Sequence, residues 1–122
     1  MDSTIDARIA GVLEAMERQM AEPFTVCDLA AIAGLSPSRF AHLFRRTVGV
    51  SPLRHLHTLR MRRAQQLLET SSLPIRDVMQ QVGWRDPSHF SKNFKRRFGV
   101  APRRYRGESD RSAAADLRRA LK

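Results

Sequence analysis

One passage of this chain occurs twice, and that duplication constrains the fold more than any other feature. The first copy reads Gly34-Leu35-Ser36-Pro37-Ser38-Arg39-Phe40-Ala41-His42-Leu43-Phe44-Arg45-Arg46-Thr47-Val48-Gly49-Val50-Ser51-Pro52. The second reads Gly83-Trp84-Arg85-Asp86-Pro87-Ser88-His89-Phe90-Ser91-Lys92-Asn93-Phe94-Lys95-Arg96-Arg97-Phe98-Gly99-Val100-Ala101-Pro102. Phe40, Phe44, Gly49, Val50 and Pro52 recur 50 positions on as Phe90, Phe94, Gly99, Val100 and Pro102. Upstream the offset is 49, pairing Val26 with Ile75, Leu29 with Val78, Ala33 with Val82 and Gly34 with Gly83. The second copy therefore holds one extra residue between its glycine and its first phenylalanine. A repeat that accepts an insertion only at its turn is a duplicated supersecondary unit. Two short amphipathic runs on either side of a glycine make that unit a helix-turn-helix.

The flanking residues fix the element order. Ile5, Ile9, Leu13, Met16 and Met20 recur at helical spacing, with Ser3 or Thr4 as cap and Pro23 limiting the end. Thr25 and Asp28 form a capping box for a brief helix whose Val26, Leu29, Ala30 and Ala33 face one way. Gly34 supplies a left-handed turn, with Leu35 packing beneath it. Ser36 then caps a second helix that has Pro37 in its first position, where a missing N–H costs nothing. Phe40, Leu43 and Phe44 are its buried stripe, and Gly49 ends it. Ser51-Pro52 opens the longest helix, to about Glu69, packed through Leu53, Leu56, Ala64, Leu67 and Leu68, with Arg60 the polar exception on that side. After Thr70-Ser71-Ser72 the plan repeats: Ile75, Val78, Met79 and Val82 line a helix, Gly83-Trp84 turns, Asp86 caps and Pro87 follows. The core of the second copy is Trp84, Phe90, Phe94 and Phe98. A last short helical segment begins at Pro102, and the tail either adds a turn or two through Ala113–Ala115 and Leu117 or frays. The expected fold is all-α: two helix-turn-helix subdomains, residues 1–51 and 70–106, joined by a central helix over 52–69, with a tail over 107–122 that is partly helical or disordered.

Charge is distributed unevenly along this plan. The 122 residues carry a net charge of +10, yet residues 1–30 hold six acids and two bases, a balance of −4. Residues 31–106 hold sixteen bases and three acids, a balance of +13. The duplicated region thus has the footprint of a polyanion-binding surface. No apolar run reaches the ~20 residues that span a bilayer, so a membrane partner is not expected. Cys27 is the only cysteine, which excludes an intrachain disulfide and points weakly to a reducing compartment. It falls within the supporting helix and reads as a packing residue, not a nucleophile. His55 and His57, two apart on a helix, point different ways and make no metal pair. With no Gly-rich phosphate loop and no catalytic triad, the chain does not read as an enzyme and implies no cofactor.

A helix-turn-helix presents its second helix to the major groove. Burying Phe40, Leu43 and Phe44 leaves Ser38, Arg39, Ala41, His42, Arg45 and Arg46 outward. In the second copy Pro87, Ser88, Ser91, Lys92 and Lys95 are outward. The leading turns reach base edges, which makes Ser38, His42, Ser88, Ser91 and Lys92 the readout candidates. Arg39, Arg45, Arg46, Lys95, Arg96 and Arg97 are candidates for phosphate. The helix N-termini capped by Ser36 and Asp86 offer N–H groups to phosphate as well.

At these residues the chain resembles the AraC/XylS family of bacterial transcription regulators. The resemblance covers about residues 5–106 and is most specific from Gly83 to Arg106, with its Phe-x3-Phe, Gly-Val-x-Pro and closing Tyr105-Arg106. It implies a homeodomain-like arrangement of about seven helices, acting as a monomeric DNA-binding unit. Family base contacts map onto Ser38, Ala41 and His42, and onto Asp86, Pro87, Ser88, Ser91 and Lys92. Lys92 stands where many members have arginine, and Ala41 and Pro87 replace polar side chains. The resemblance further implies double-stranded DNA and RNA polymerase as partners, activation as the output and a cytoplasmic, nucleoid location. Many members carry a separate dimerisation and ligand domain, so this chain is either a stand-alone member or the DNA-binding part of a longer protein. Two reading helices with different faces on one chain predict an asymmetric DNA site of two boxes about one helical turn apart. The competing classes are a non-specific architectural or RNA-binding module and the regulatory part of a DNA-repair methyltransferase, which would need a reactive Cys27.

Overall fold

The computed structural model describes residues 6–121. Among them are seven helices: α1 (Ala7–Arg18), α2 (Val26–Ala33), α3 (Pro37–Val48), α4 (Pro52–Thr70), α5 (Ile75–Gln81), α6 (Pro87–Phe98) and α7 (Pro102–Ala120). They divide into two compact units, one through Arg60 and the other from Met61. None of the described helices is long and apolar enough to cross a membrane.

In the first unit, Ile9, Val12 and Met16 of α1 meet Leu29, Ala30 and Ala33 of α2, Phe40 and Phe44 of α3, and Leu56 of α4. The Phe40 and Phe44 rings lie 5.7 Å apart, and His55 brings its imidazole to 5.8 Å from Phe44. The cap expected at Ser3 or Thr4, and the apolar Ile5, lie outside the described residues. The carboxylate of Asp6 caps α1, accepting from the Arg8 N–H at 2.9 Å. The helix ends at Arg18, well before Pro23. Its buried stripe runs through Ile9, Val12, Ala15 and Met16, whereas Leu13 and Met20 are half-buried. Small residues completed that face, and a search for large apolar side chains passes over them.

The buried side chains of the second unit are Met61, Ala64, Leu67 and Leu68 of α4, Val78 and Met79 of α5, Val82, and Phe90 and Phe94 of α6. Phe94 is the hub of an aromatic cluster, with centroid distances of 6.1 Å to Phe90, 4.6 Å to Phe98 and 5.5 Å to Tyr105. Burial of the phenol, together with the nearby Glu69 carboxylate, raises the Tyr105 pKa above its ordinary value.

Three expectations of packing change. Leu53 is 43 % exposed, because Pro52 and Leu56 take the buried side of that first turn and leave Leu53 rotated away. Leu43, Trp84 and Phe98, expected in the core, are half-buried at its rim. Cys27, expected to pack, is exposed, since Leu29, Ala30 and Ala33 define the inner face of α2 and Cys27 lies off it. The short segment and tail expected after Pro102 are instead one helix of 19 residues. Surface pairs at helical spacing, Arg104 with Glu108 and Arg119 with Asp116, support it, together with the strong helix formers Ala113 to Ala115.

Each unit is also tied by an arginine that donates to backbone carbonyls. Arg60 of α4 donates from Nε to Met20 O at 2.9 Å and from Nη2 to Glu22 O at 2.7 Å, fastening the connection from α1 to α2. Arg106 of α7 donates to Leu68 O, Ser71 O and Leu73 O, fastening the connection from α4 to α5. The exception noted on the packed side of α4 is therefore a clasp that satisfies carbonyls of the connection from α1 to α2.

Candidate nucleic-acid interface

Local chemistry sets the angle between the two helices of each motif. In the first, Thr25 Oγ1 accepts from Asp28 N at 3.1 Å while the Asp28 carboxylate accepts from Thr25 N at 2.9 Å, which fixes the start of α2. Gly34 stops it at φ 70°, a left-handed conformation that favours glycine, and Leu35 N–H donates back to Ala30 O at 3.0 Å. Ser36 Oγ accepts from Arg39 N at 3.3 Å, Pro37 takes the first turn, and α3 runs until Gly49 at φ 98°.

The second motif reaches the same arrangement with one more residue. Gly83 turns at φ 88°, and Trp84 N–H donates to Met79 O at 3.0 Å, as Leu35 does to Ala30. Arg85 is the insertion, and Asp86 then caps α6 more fully than Ser36 caps α3. One carboxylate oxygen accepts from both Ser88 N (2.9 Å) and His89 N (3.1 Å). The Trp84 ring stands edge-on to His89 at 5.3 Å, closing over the first turn of α6.

On α3, Ser36, Ser38, Arg39, His42, Arg45 and Arg46 are exposed, and Ala41 is half-buried. On α6 and its cap, Asp86, Pro87, Ser88, Lys92, Lys95, Arg96 and Arg97 are exposed, and Ser91 is half-buried. Ala41 and Ser91 are equivalent by the 50-residue offset, so the two helices show the same sides outward. One oxygen of the Asp86 carboxylate, a candidate for base contact, is engaged by the N-terminus of its own helix.

Two surface pockets touch these helices. One, of about 370 Å³, is lined by Leu35, Ser38, Arg39, His42 and Leu43 together with Arg8 of α1. The other, of about 290 Å³, lies between α5 and α6 and is lined by Ile75, Arg76, Met79, Pro87, Phe90 and Ser91. Arg8 and Arg76 were not candidates from sequence. Arg8 sits in the acidic segment that the charge argument set aside, and its only local signal is the Asp6-x-Arg8 spacing. Among the described residues no group of three or more His, Cys, Asp or Glu side chains is placed to hold a metal ion.

Residues 29–108 match a protein family described as a helix-turn-helix domain. The transcriptional regulator AlkR of Acinetobacter baylyi is 39% identical over 101 residues, covering 83% of this chain and 33% of that protein. The arabinose operon regulatory protein of Escherichia coli is 34% identical over 103 residues, covering 84% of this chain and 35% of that protein. The chain thus spans about a third of the length of the curated relatives it matches. Among solved structures, the DNA-binding domain of the global transcriptional factor AdpA, in complex with a target DNA, superposes with a TM-score of 0.79. That pair is 34% identical, over 96% of this chain and all (100%) of the other. The C-terminal domain of AraT, a response regulator from Geobacillus stearothermophilus, gives a TM-score of 0.81 at 25% identity, over 87% of this chain and 88% of its own.

Proposed function

The chain belongs to the AraC/XylS family, and from that premise we propose that it is a sequence-specific, double-stranded DNA-binding transcription regulator acting through α3 and α6. One observation carries the reading: both helices begin with a side-chain cap and proline, end on a left-handed glycine, and expose a polar, basic face. The AdpA domain, superposable over most of this chain, was solved on its target DNA. In this reading Ser38, Ala41 and His42 face bases from α3, and Asp86, Pro87, Ser88, Ser91 and Lys92 from α6 and its cap. Ser36, Arg39, Arg45, Arg46, Lys95, Arg96 and Arg97 take phosphates. Residues 1–51 and 70–106 are the two reading subdomains, with 52–69 linking them. The output is activation through RNA polymerase, on the bacterial nucleoid, and the DNA-binding unit is a monomer.

The test is a binding titration on a duplex enriched from a random-sequence pool, repeated against excess random competitor. Specific complexes typically exceed non-specific ones by ~10³ or more and survive that competitor. Binding lost at equimolar competitor would make the chain a non-specific architectural or RNA-binding module. With six to ten phosphates contacted, log K against log salt should fall with a slope of about −5 to −9. A slope shallower than about −2 would take the basic faces out of the interface.

A further inference from the structure

The pocket beside α3 is lined by Arg8 and Arg39, by the His42 imidazole and the Ser38 hydroxyl, over the apolar Leu35 and Leu43. Its polar lining is donor-rich and carries no carboxylate, which suits an anion. Arg8 comes to this pocket from the otherwise acidic N-terminal helix, and it is not a freely moving chain. Its Nε donates to Asp6 Oδ1 at 3.1 Å and its Nη2 to Asp6 Oδ2 at 2.9 Å, a two-pronged grip. The same carboxylate caps the helix through Arg8 N at 2.9 Å, so cap and arginine are fixed together. The grip uses two of the five guanidinium N–H donors and leaves three. The Arg8 side chain is 52% exposed.

Resting on the DNA-binding reading above, we propose that Arg8, held by Asp6, is a DNA-phosphate contact of the first helix-turn-helix, and that the pocket between α1 and α3 receives this phosphate. A helix in the major groove has phosphate rows on both flanks, and contacts to them set its register. Arg39 and Arg8 reach the same pocket from α3 and α1, so one phosphate is gripped from two elements. That holds α3 at a fixed depth, whereas phosphate contacts from α3 alone would let it roll. Asp6 removes part of the positive charge but pre-sets the guanidinium, so less side-chain freedom is lost on binding. Asp6 is thus a positioning residue and Arg8 the contact.

The experiment measures anisotropy of a fluorescent duplex, enriched with the whole chain, across a salt series for Arg8→Ala, Asp6→Asn and Arg45→Ala. Thermal melts first establish that each variant is folded. Arg8→Ala should flatten the log–log salt slope by about 0.9 and weaken all related sequences alike. Asparagine caps helices as well as aspartate does, so Asp6→Asn keeps α1 while loosening the grip. It also raises the net charge by one. Simple attraction would tighten binding, whereas positioning through Arg8 requires weaker binding. An unchanged slope and affinity in Arg8→Ala overturns the proposal, and tighter binding by Asp6→Asn overturns the role of Asp6. Arg45→Ala separates the two levels. If it flattens the slope while Arg8→Ala does not, only the Arg8 contact fails. If neither does, the DNA face itself is wrong.

Discussion

Replacing Arg106 with leucine should cost the second unit more than its place just beyond the duplicated stretch suggests. The guanidinium donates to Leu68 O at 3.4 Å, Ser71 O at 3.2 Å and Leu73 O. These acceptors lie in the last turn of α4 and the connection into α5, where helix carbonyls lack intrahelical partners. A hydrogen bond to a charged group contributes about 1.5–3 kcal/mol. Counting the Leu73 bond in full, the Ser71 bond at the low end and the long Leu68 bond as negligible gives a loss of about 3–4.5 kcal/mol. A unit of this size has roughly 3–9 kcal/mol of stability in all, so the loss is a large share of it. In thermal terms it corresponds to a fall of about 12–36 °C, at 4–8 °C per kcal/mol for a small domain. Trp84 is the only tryptophan and belongs to the second unit, so its fluorescence during urea unfolding reports on the perturbed region. Arg106→Lys, which keeps the charge but not the planar fork, should fall between wild type and Arg106→Leu. A leucine variant within about 0.5 kcal/mol of wild type would show that the three carbonyls do not depend on this clasp.

Phe44→Ala and Phe94→Ala should each lose about 3–5 kcal/mol, the usual cost of emptying a fully buried phenylalanine site. Wild-type melting with lost DNA binding in either variant would remove that ring from the structural core. Tyr105 is the only tyrosine, so its phenolate absorbance is uncontaminated, and it should ionise above the ordinary tyrosine value near 10. A raised folded-state pKa contributes stability that is fully present below the unfolded value and lost as pH rises through the folded one. Unfolding free energy should therefore decline in the alkaline range, and a Tyr105→Phe variant should lack that component. Phenolate formation at or below the free-tyrosine value would contradict the burial argument. Cys27 is exposed, so a thiol reagent should modify it in the native protein without altering DNA affinity. Protection of the native thiol would restore it to the packed face of α2.

What the sequence revealed was mostly local. Capping boxes, cap-plus-proline starts and left-handed glycines act within three or four residues, so Thr25 with Asp28, Ser36 with Pro37 and Asp86 with Pro87 announced helix starts directly. The large buried rings announced the helix faces. What stayed hidden depended on distant partners: Arg60 and Arg106 reach carbonyls 33 to 40 residues away, and nothing near them in sequence marks the acceptors. The length of α7 was obscured by Gly107, Ser109 and Ser112, each a weak helix former, though the helix runs through all three. Arg8 was missed because net charge over a segment averages away a single arginine paired to a carboxylate. At the candidate interface, the outward residues of α3 and α6 followed from the buried stripe, whereas the contribution of α1 required the fold.

The duplication also separates two kinds of contact. Positions identical in both copies and buried, or at positive φ, answer to the fold: Phe40 and Phe90, Phe44 and Phe94, Gly49 and Gly99. Arg46 and Arg96 are also identical, yet they are exposed and support no packing. An identity that the fold does not require points to a shared task, and a feature common to any stretch of duplex is its sugar–phosphate backbone. The exposed pair His42 and Lys92 differs between the copies, which is what different base readout needs. Exchanging the two, as His42→Lys with Lys92→His, should therefore alter which sequences an enriched pool yields. Arg46→Ala and Arg96→Ala should weaken binding without changing the preferred sequence. The opposite pattern, a changed preference from the arginine variants and none from the exchange, would place base reading on Arg46 and Arg96.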